Sequence, residues 1–442
     1  MMDEPAAASV KKTALLHILK YRSQGAMTLS RTAYDEPQSQ RAYRLPSIDL
    51  LAQEKPQRHV PKPEEDIAAK LDTMFRQLEV DAHVSAFHRG PAVTRYEVTI
   101  GPGVTINDIW DHRSTIFYTA ATTKLRLFSP IPGKSALSIE IPNADPELVR
   151  LGDVLRSGEM ASDVSPTLIP LGVDFEERIV TTDLMALPHL LIGGMKDTGK
   201  SSFINAMLAT ILMRATPNQV RILLIDTTRI ELSAYAGIHR LPHLLTPLIT
   251  DPQKAAQALE WVTKEIDARY EDRCQSKRFR TRILDGQVQA PSDTTPRKVS
   301  IHPTLIVIVN DPAGLLLGTG NGADDAVRRI AQLGAVSDVH LVLSTIPPYS
   351  SNVISAVAKA NCPARLSFAM HSGFDSRTNL DYCGAESLIG KGDALFTPTR
   401  LTFPVRIQTP WIDETEIRKV ITHVRKQPRP PYPTADAFLK TL

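Results

Sequence analysis

Cysteine is scarce in this sequence, which excludes a scaffold built on cysteine chemistry. The chain of 442 residues contains three cysteines, Cys274, Cys362 and Cys383, and they lie far apart. They form neither a CxxC pair nor an even-numbered framework, so a disulfide network is excluded and a zinc site is not expected. A reduced compartment, the cytoplasm, is therefore the predicted location.

Long apolar runs are also missing. No stretch approaches the roughly 20 apolar residues that cross a membrane as a helix. The first 25 residues lack the apolar core of a secretory signal. We therefore expect that this chain does not itself cross a membrane.

The sequence has little excess charge of either sign. Its 51 Lys and Arg residues nearly balance 48 Asp and Glu residues, which leaves a net charge of +3. An excess this small does not by itself indicate a nucleic-acid partner. The apolar fraction of 42% and the charged fraction of 22% are typical of soluble globular proteins. A chain of this length predicts about two to four domains.

What the sequence does contain is a phosphate-binding pattern. Gly194, Gly199, Lys200 and Ser201 occupy the fixed positions of G-x-x-x-x-G-K-S. The glycines let several backbone N–H groups point at one anion, the lysine reaches the terminal phosphates, and the serine hydroxyl helps to hold Mg²⁺. The predicted binding residues for ATP with Mg²⁺ are Gly194, Met195, Lys196, Asp197, Thr198, Gly199, Lys200, Ser201 and Ser202.

The flanking sequence has the order that this motif requires. His189–Gly193 is typical of a short buried strand, and Ser201–Arg214 is typical of an apolar helix. A helix that begins at the lysine turns its positive end toward the phosphates. Strand, loop and helix in this order indicate a P-loop domain rather than a glycine turn in an ordinary α/β domain.

Changes in composition and periodicity divide the chain into four predicted parts. Residues 1–60 are an irregular segment or linker, and residues 61–180 form a small α+β domain. Residues 181–426 form the P-loop domain, and residues 427–442 form a Pro-rich tail. The α+β part carries no obvious catalytic constellation.

The two central parts differ in their predicted elements. In the first, Ile106–Thr122 predicts one helix, Ala92–Ile100 alternates as a strand, and Leu171–Arg178 is a loop that ends the domain. In the second, buried strands such as Val220–Asp226 and Leu305–Val309 alternate with helices. This alternation predicts an α/β fold with a mainly parallel sheet.

Many blocks of the sequence resemble the FtsK/SpoIIIE family of DNA translocases, in order, over roughly residues 45–425. The most specific block runs from Asp375–Thr378 through Gly384–Gly390 to Gly392-Asp393. The other similar blocks are Gly90–Glu97, Ile131–Ser135, Ile141–Asn143, Leu187–Leu191, Glu231–Ile238, Pro242–Thr246, Ile249–Pro252, Val339–Thr345 and Lys359–Arg365.

The resemblance implies a RecA-like P-loop motor preceded by a small α+β subdomain. In this family six motors ring double-stranded DNA, and ATP hydrolysis at the subunit boundaries drives the DNA through the ring. The implied setting is the bacterial cytoplasm, in chromosome segregation, cell division or DNA transfer. Lys359 and Arg365, in the block Lys-x-Asn-x-Pro-x-Arg, are the implied DNA contacts. Membrane helices and a winged-helix domain, which many members add, are not seen, so we expect a bare motor.

The sequence departs from the family where catalysis needs acids. Family members end the strand at Leu305–Val309 with Asp-Glu, in which the Asp orients Mg²⁺ and the Glu activates the attacking water. Here the pair is Asn310-Asp311. Asn310 carries no charge, and Asp311 is one methylene shorter than a glutamate. The expected catalytic residues are Lys200, Asn310 and Asp311, with Ser201 and Asn310 next to the metal ion.

The resemblance leaves three functions open. The chain is either an ATP-driven DNA translocase with weakened hydrolysis or a pseudo-motor that binds ATP and DNA as a structural or regulatory partner. The pseudo-motor would assemble with an active motor, whereas the translocase would form its own hexameric ring. The third function is an ATPase of a secretion or plasmid-coupling system, because related RecA-like rings perform those tasks.

Overall fold

A computed structural model of the chain describes residues 43–53, 62–129, 131, 134–238, 241–284, 302–312, 315, 321–346, 359–398 and 403–432. Most of the irregular segment predicted for residues 1–60 lies outside the described residues, and so does most of the predicted tail. All described residues belong to one compact unit that begins at Tyr43.

A small antiparallel sheet covered by helices forms the first part of the structure. Its elements are α1 (Lys62–Gln77), β1 (Ala82–Arg89), β2 (Val93–Ile100), α2 (Ile106–Asp111), α3 (Arg113–Thr119), β3 (Arg126–Phe128) and β4 (Leu137–Pro142). The strand order is β1-β2-β4-β3. Leu71 and Phe75 of α1 are buried in one cluster with Tyr96 of β2 and Ile139 of β4, which fixes the helix on the sheet.

The large sheet has nine described strands. They are β5 (Leu168–Val173), β6 (Ile179–Asp183), β7 (Leu190–Gly193), β8 (Val220–Asp226), β9 (Thr304–Asn310), β10 (Val339–Thr345), β11 (Ala364–Ser367), β12 (Asp393–Thr397) and β13 (Val405–Gln408). The strand order is β6-β5-β13-β12-β11-β7-β10-β9-β8. From β11 to β8 neighbouring strands are parallel, whereas β12, β13, β5 and β6 are added antiparallel. The predicted α/β fold with a parallel P-loop sheet is confirmed.

Helices cover both faces of the parallel half, which is why its strands are continuous apolar runs. The described helices of this part are α4 (Leu151–Leu155), α5 (Gly158–Ser162), α6 (Lys200–Arg214), α7 (Pro252–Leu284), α8 (Asn321–Leu333), α9 (Gly373–Leu380) and α10 (Glu414–Arg425). On one face Phe203 of α6 and Val420 of α10 are buried with Ile308 of β9. On the other, Leu259 of α7 and Ile330 of α8 are buried in the opposite cluster.

Two element predictions in the first half of the chain are corrected. The helix predicted for Ile106–Thr122 is two short helices separated at His112, whose ψ is 9°. The loop predicted for Leu171–Arg178 is partly strand, because β5 and β6 form a hairpin in the large sheet. A bulge between Pro170 and Gly172 accounts for the missed strand, since proline inside a strand argues against a regular ladder. The boundary predicted at residue 180 stays a prediction, although the small sheet ends at Pro142 and the large sheet begins at Leu168.

Segments predicted to be irregular at both ends contribute to packing. Leu51, within the predicted linker, is buried in the same cluster as α6, and the N–H of Ala52 donates to Glu416 Oε1 of α10 at 2.5 Å. Near the other end, Tyr432 is buried, and its hydroxyl donates to Glu265 Oε1 at 2.6 Å. Within the described ranges, every helix is either too short or too polar to span a lipid bilayer.

Candidate active site

The loop from Gly194 to Gly199 connects the end of β7 to the start of α6. A Cβ atom on Gly194 would lie 2.6 Å from Cβ of Phe368, and one on Gly199 would lie 2.6 Å from the backbone nitrogen of Gly392. Gly199 also has a φ of +120°, a conformation that side chains rarely adopt. The glycines are therefore required by close packing as well as by backbone conformation.

Neighbouring segments brace the rest of the loop. The N–H of Met195 donates to the Ala369 carbonyl at 2.9 Å, and the N–H of Gly392 donates to the Thr198 carbonyl at 2.9 Å. The Thr198 hydroxyl bonds back to the Met195 carbonyl at 2.7 Å. By contrast, Lys196 and Asp197 are exposed. These two variable positions of the motif therefore do not alter the packed part of the loop.

Lys200 is buried at the start of α6, with its ammonium group on the inner side of the loop. Its Nζ donates to the carbonyl oxygens of Gly194 at 2.8 Å and Met195 at 2.6 Å. Burial lowers the pKa of Lys200, while the carboxylates of Glu231, Asp197 and Asp311 oppose that shift. The side chain is thus a buried cation whose ammonium group is bonded to two carbonyl oxygens.

The carboxyl ends of the parallel strands meet the P-loop at one edge of the sheet. Gly193 is in register with Thr345 of β10, Asn310 of β9 with Ser344 of β10, and Asp226 of β8 with Asn310. The ends of these strands therefore lie at the same edge of the sheet as the P-loop, which follows Gly193.

Asn310 is held by the acid that ends the neighbouring strand. Its Nδ2 donates to Oδ1 of Asp226 at 3.1 Å, and both side chains are buried. The same carboxylate accepts hydrogen bonds from the Thr228 hydroxyl at 2.6 Å and from the N–H of Leu232 at 3.1 Å. Asp226 is thus an acid at this edge of the sheet, and Asn310 is one of its hydrogen-bond partners. The sequence did not predict this pairing.

Asp311 follows directly in a left-handed backbone conformation, with φ at +50°. Its N–H donates to the Ser344 carbonyl at 2.8 Å, and its carbonyl accepts from the Thr227 hydroxyl at 3.4 Å. The side chain is half-buried and its charge acts on Lys200. Lys200 and the consecutive residues Asn310 and Asp311, which are distant from Lys200 in sequence, therefore lie at the same edge of the sheet, while their catalytic roles stay a prediction.

Unsatisfied polar atoms at the same edge fit a phosphate ligand with a metal ion. Ser202 Oγ, Ser344 Oγ and Glu231 Oε2 are buried and have no hydrogen-bond partner among the described residues. Buried polar groups in proteins are otherwise almost always bonded. In the part of the chain that the structure describes, no three His, Cys, Asp or Glu side chains cluster as metal ligands. A magnesium ion held by one hydroxyl, phosphate oxygens and water needs no such cluster.

The two predicted DNA contacts differ in position. Lys359 is half-buried, and its carbonyl accepts a bond from the N–H of Cys362 at 3.3 Å. Arg365 is 0% exposed, and its Nη1 donates to the Asn379 carbonyl and to Asp381 Oδ2, both at 2.8 Å. A guanidinium enclosed in this way supports the β11–α9 region and does not reach a phosphate backbone, so the prediction for Arg365 is corrected.

Three histidines near the core are structural. His189 Nδ1 accepts from the N–H of Leu341 at 2.9 Å while its Nε2 faces the Ala331 carbonyl at 3.0 Å. His340 Nδ1 faces the Leu187 carbonyl at 2.9 Å, and His243 Nε2 faces the Ala215 carbonyl at 2.9 Å. Burial lowers the pKa of His189 and of His243 to about 4, so both are neutral near pH 7. These contacts are those of packed core side chains.

Two family models match the chain in the order of its two sheets. The FtsK alpha domain matches residues 45–143, which end beside β4, and the FtsK/SpoIIIE family matches residues 150–350, which contain the P-loop and Asn310. The chain belongs to the FtsK/SpoIIIE family. The loop from Gly194 to Ser201, with its P-loop pattern, lies within the residues that match the FtsK/SpoIIIE family.

Curated relatives of this FtsK/SpoIIIE chain extend well beyond it. The DNA translocase FtsK of Streptomyces avermitilis is 44% identical over 393 residues, which are 88% of this chain and 43% of the relative. That of Tropheryma whipplei is 43% identical over 394 residues, which are 88% of this chain and 52% of the relative. The chain thus spans about half the length of the curated relatives it matches.

A solved structure supports the fold. The monomer form of the pCW3 conjugation coupling protein TcpA with ATPγS aligns with a TM-score of 0.51 at 15% identity. The alignment covers 80% of this chain and 99% of TcpA. At this identity the similarity shows a shared fold and nothing further about activity.

Proposed function

We propose that this chain is an ATP-driven motor that moves double-stranded DNA. The observation that carries the proposal is the buried Lys200 in a complete P-loop, beside the strand ends that hold Asn310 and Asp311. Family membership and the relatives named DNA translocase FtsK support DNA as the substrate. The proposed assembly is a homo-hexameric ring around the duplex, working in the bacterial cytoplasm. The three free cysteines agree with a reduced compartment.

The proposed substrate is ATP, bound by the loop and by the first turn of α6. Lys200 would contact the terminal phosphates, and the N–H groups of the loop would surround them. Ser201 would hold Mg²⁺, which, when bound, neutralises charge on the β- and γ-phosphates. Asn310 would accept or donate one hydrogen bond near this ion, but it supplies no negative charge.

A second candidate function rests on Asn310 and Asp311. An amide in place of the family's aspartate and a shorter acid in place of its glutamate weaken water activation, since a positioned general base contributes about 10²–10⁴-fold. A chain that binds ATP and DNA without useful turnover would act as a regulatory partner of an active motor. The third function, a secretion or coupling ATPase, shares the fold but predicts no response to duplex DNA.

The deciding experiment is the ATPase rate of the purified chain with Mg²⁺, measured with and without linear duplex DNA. For the DNA motor we expect turnover that rises on DNA addition and falls to background in Lys200→Ala. A rate equal to that of Lys200→Ala, with ATP still bound, would overturn the motor in favour of the regulatory partner. Turnover that ignores duplex DNA would instead favour the secretion or coupling ATPase.

A further inference from the structure

The loop after β8 carries an acidic residue, Glu231, toward the P-loop. Asp226 closes this loop by accepting bonds from the N–H and hydroxyl of Thr228, at 3.1 and 2.6 Å, and from the N–H of Leu232 at 3.1 Å. Glu231 therefore lies between two points that are fixed to the end of the strand. Its position is determined by the fold and does not depend on a freely moving loop.

A second connection ties Glu231 to the helix that begins the P-loop site. Asn205, one turn after Ser201 on α6, donates from Nδ2 to the Ser201 carbonyl at 2.9 Å and is 3.4 Å from the Glu231 carbonyl. The backbone of Glu231 thus lies alongside the first turn of α6, where the metal-binding serine is expected.

The carboxylate of Glu231 has one uncommitted oxygen, and its charge acts on Lys200 at the start of α6. Oε2 is buried and has no hydrogen-bond partner among the described residues. Of the carboxylates that act on the charge of Lys200, that of Glu231 acts most strongly, ahead of Asp197 and Asp311. A buried acid used only for structure would have its oxygens bonded, because an unsatisfied buried acceptor costs about 1–3 kcal/mol.

Resting on the proposed ATPase function, we propose that Glu231 is the general base that activates water for ATP hydrolysis, in the role that Asp311 is too short to fill. The water oxygen forms a bond to the γ-phosphorus while the bond from that phosphorus to the bridging oxygen of ADP breaks. The proton lost by the water moves to the Glu231 carboxylate and leaves with solvent after phosphate is released. No redox partner is needed, and the products are ADP and inorganic phosphate.

Asp311 then serves a different purpose. Its left-handed backbone and the bond from its N–H to Ser344 fix the turn after β9, and its shorter carboxylate adds negative charge beside Lys200. Glu231 supplies the longer side chain from the loop that follows the adjacent strand, β8. The site therefore keeps a glutamate although β9 has lost one.

The test compares Glu231→Gln with Asp311→Asn in the full chain. For each we would measure single-turnover ATP hydrolysis on duplex DNA and, separately, the affinity for a fluorescent ATP analogue with Mg²⁺. For Glu231→Gln we expect a loss of about 10²–10⁴-fold in the hydrolysis rate with unchanged analogue affinity and melting temperature. Asp311→Asn should lower the rate by less. Glu414→Gln, an exposed glutamate on α10, is the matched control and should leave both quantities unchanged.

Several outcomes would overturn the assignment. Full activity in Glu231→Gln would show that another group takes the proton, and a larger loss in Asp311→Asn would assign the role to Asp311. Loss of nucleotide affinity together with rate would make Glu231 a binding or structural residue. Should the glutamine variant misfold, Glu231→Asp keeps the charge and is expected to be intermediate in rate at full affinity. A wild-type chain without turnover would remove the ATPase proposal itself, which separates that failure from failure of the base.

Discussion

Asn310 lies where the family resemblance implies an aspartate. An amide and a carboxylate are nearly the same size, so the asparagine keeps the shape of the site and removes a negative charge. Its Nδ2 lies 3.1 Å from Oδ1 of Asp226, and both groups are buried. An aspartate at this position would face Asp226 at a similar distance, where two like charges raise the pKa of one carboxyl. The asparagine therefore removes a repulsion that a divalent cation would otherwise have to offset.

This pairing predicts how Asn310→Asp behaves without and with a cation. In EDTA at pH 8 the variant should unfold more easily than the wild type, by about 2 kcal/mol, because a hydrogen bond becomes a repulsion between buried carboxylates. Adding Mg²⁺ with ADP should stabilise the variant more than the wild type. Chemical denaturation with and without Mg²⁺-ADP measures both effects.

The control for this prediction is Asn310→Ala, which removes the hydrogen bond without adding charge. Its stability should respond to Mg²⁺-ADP no more than that of the wild type. An Asn310→Asp variant with the stability of the wild type in EDTA would show that residue 310 does not face Asp226 in solution.

At the level of elements, four strands, two from each sheet, are joined by buried charges. Arg406 of β13 donates to both carboxylate oxygens of Asp393 on β12, at 2.9 and 2.6 Å, and to Glu140 of β4 at 2.8 Å. Arg126 of β3 also contacts Glu140, at 3.3 Å. Burial alone would raise the pKa of Glu140, but the charges of Arg126 and Arg406 together hold that pKa below its ordinary value.

Replacing Arg406 should therefore destabilise the connection between the two sheets. Arg406→Met leaves Glu140 and Asp393 buried without their shared cation, a change that costs on the order of 3–5 kcal/mol. Arg418→Met breaks an exposed pair with Glu414 and should leave stability nearly unchanged. Urea unfolding midpoints at pH 7.5 measure both variants.

The loss in Arg406→Met should also depend on pH. Glu140 has a depressed pKa in the folded wild type, so its stabilising contribution is present above the unfolded pKa and is lost as pH falls through the folded value. Without Arg406 that contribution is reduced, so the variant and the wild type should converge in stability as the solution is acidified. Equal stability of Arg406→Met and Arg418→Met at pH 7.5 would contradict the structural role of this cluster.

At the level of the whole molecule, the proposed ring needs cations that face its channel. Arg365 is enclosed, so of the two implied contacts only Lys359 keeps that proposed role. Two arginines of α7 are also bonded within the chain: Arg269 is buried against Glu265, and Arg273 pairs with Asp338. If each subunit presents few cations to DNA, the proposed ring would bind a duplex because every subunit contributes the same cations.

This arrangement predicts a salt-dependent affinity to which Lys359 contributes. Duplex DNA binding, measured by gel shift between about 50 and 200 mM salt, should weaken steeply because bound phosphates release counterions. Lys359→Ala should weaken binding to all sequences alike and reduce the salt slope by about 1 for each phosphate that the lysine no longer neutralises. Lys70→Ala, an exposed lysine on α1, is the control and should leave the slope unchanged. An unchanged slope in Lys359→Ala would remove this residue from the interface.

The local pattern of the sequence determined the P-loop, its strand and its helix. The motif can be recognised from about ten neighbouring residues: the spacing of its glycines, the apolar run before them and the lysine that begins α6. Its prediction therefore does not depend on distant segments. The same is true of the parallel strands β8, β9 and β10, whose continuous apolar runs indicate burial on both faces. Asn310 and Asp311, at the positions where the resemblance implies Asp-Glu, were likewise readable from the sequence.

Only the tertiary structure decided which distant side chains meet. Arg365 resembled a DNA contact by its place in a motif, but β11 and α9 enclose it. In the sequence, Glu231 was notable only as part of a block that resembles the family. The structure places it near the P-loop, because β8 lies beside β9 and Asn205 of α6 bonds to the Glu231 carbonyl. The antiparallel pairing of β13 with β5 was not predicted, because it joins segments more than 200 residues apart. Burial, pairing and charge at such positions are set by long-range packing, and no local spacing of residues encodes that packing.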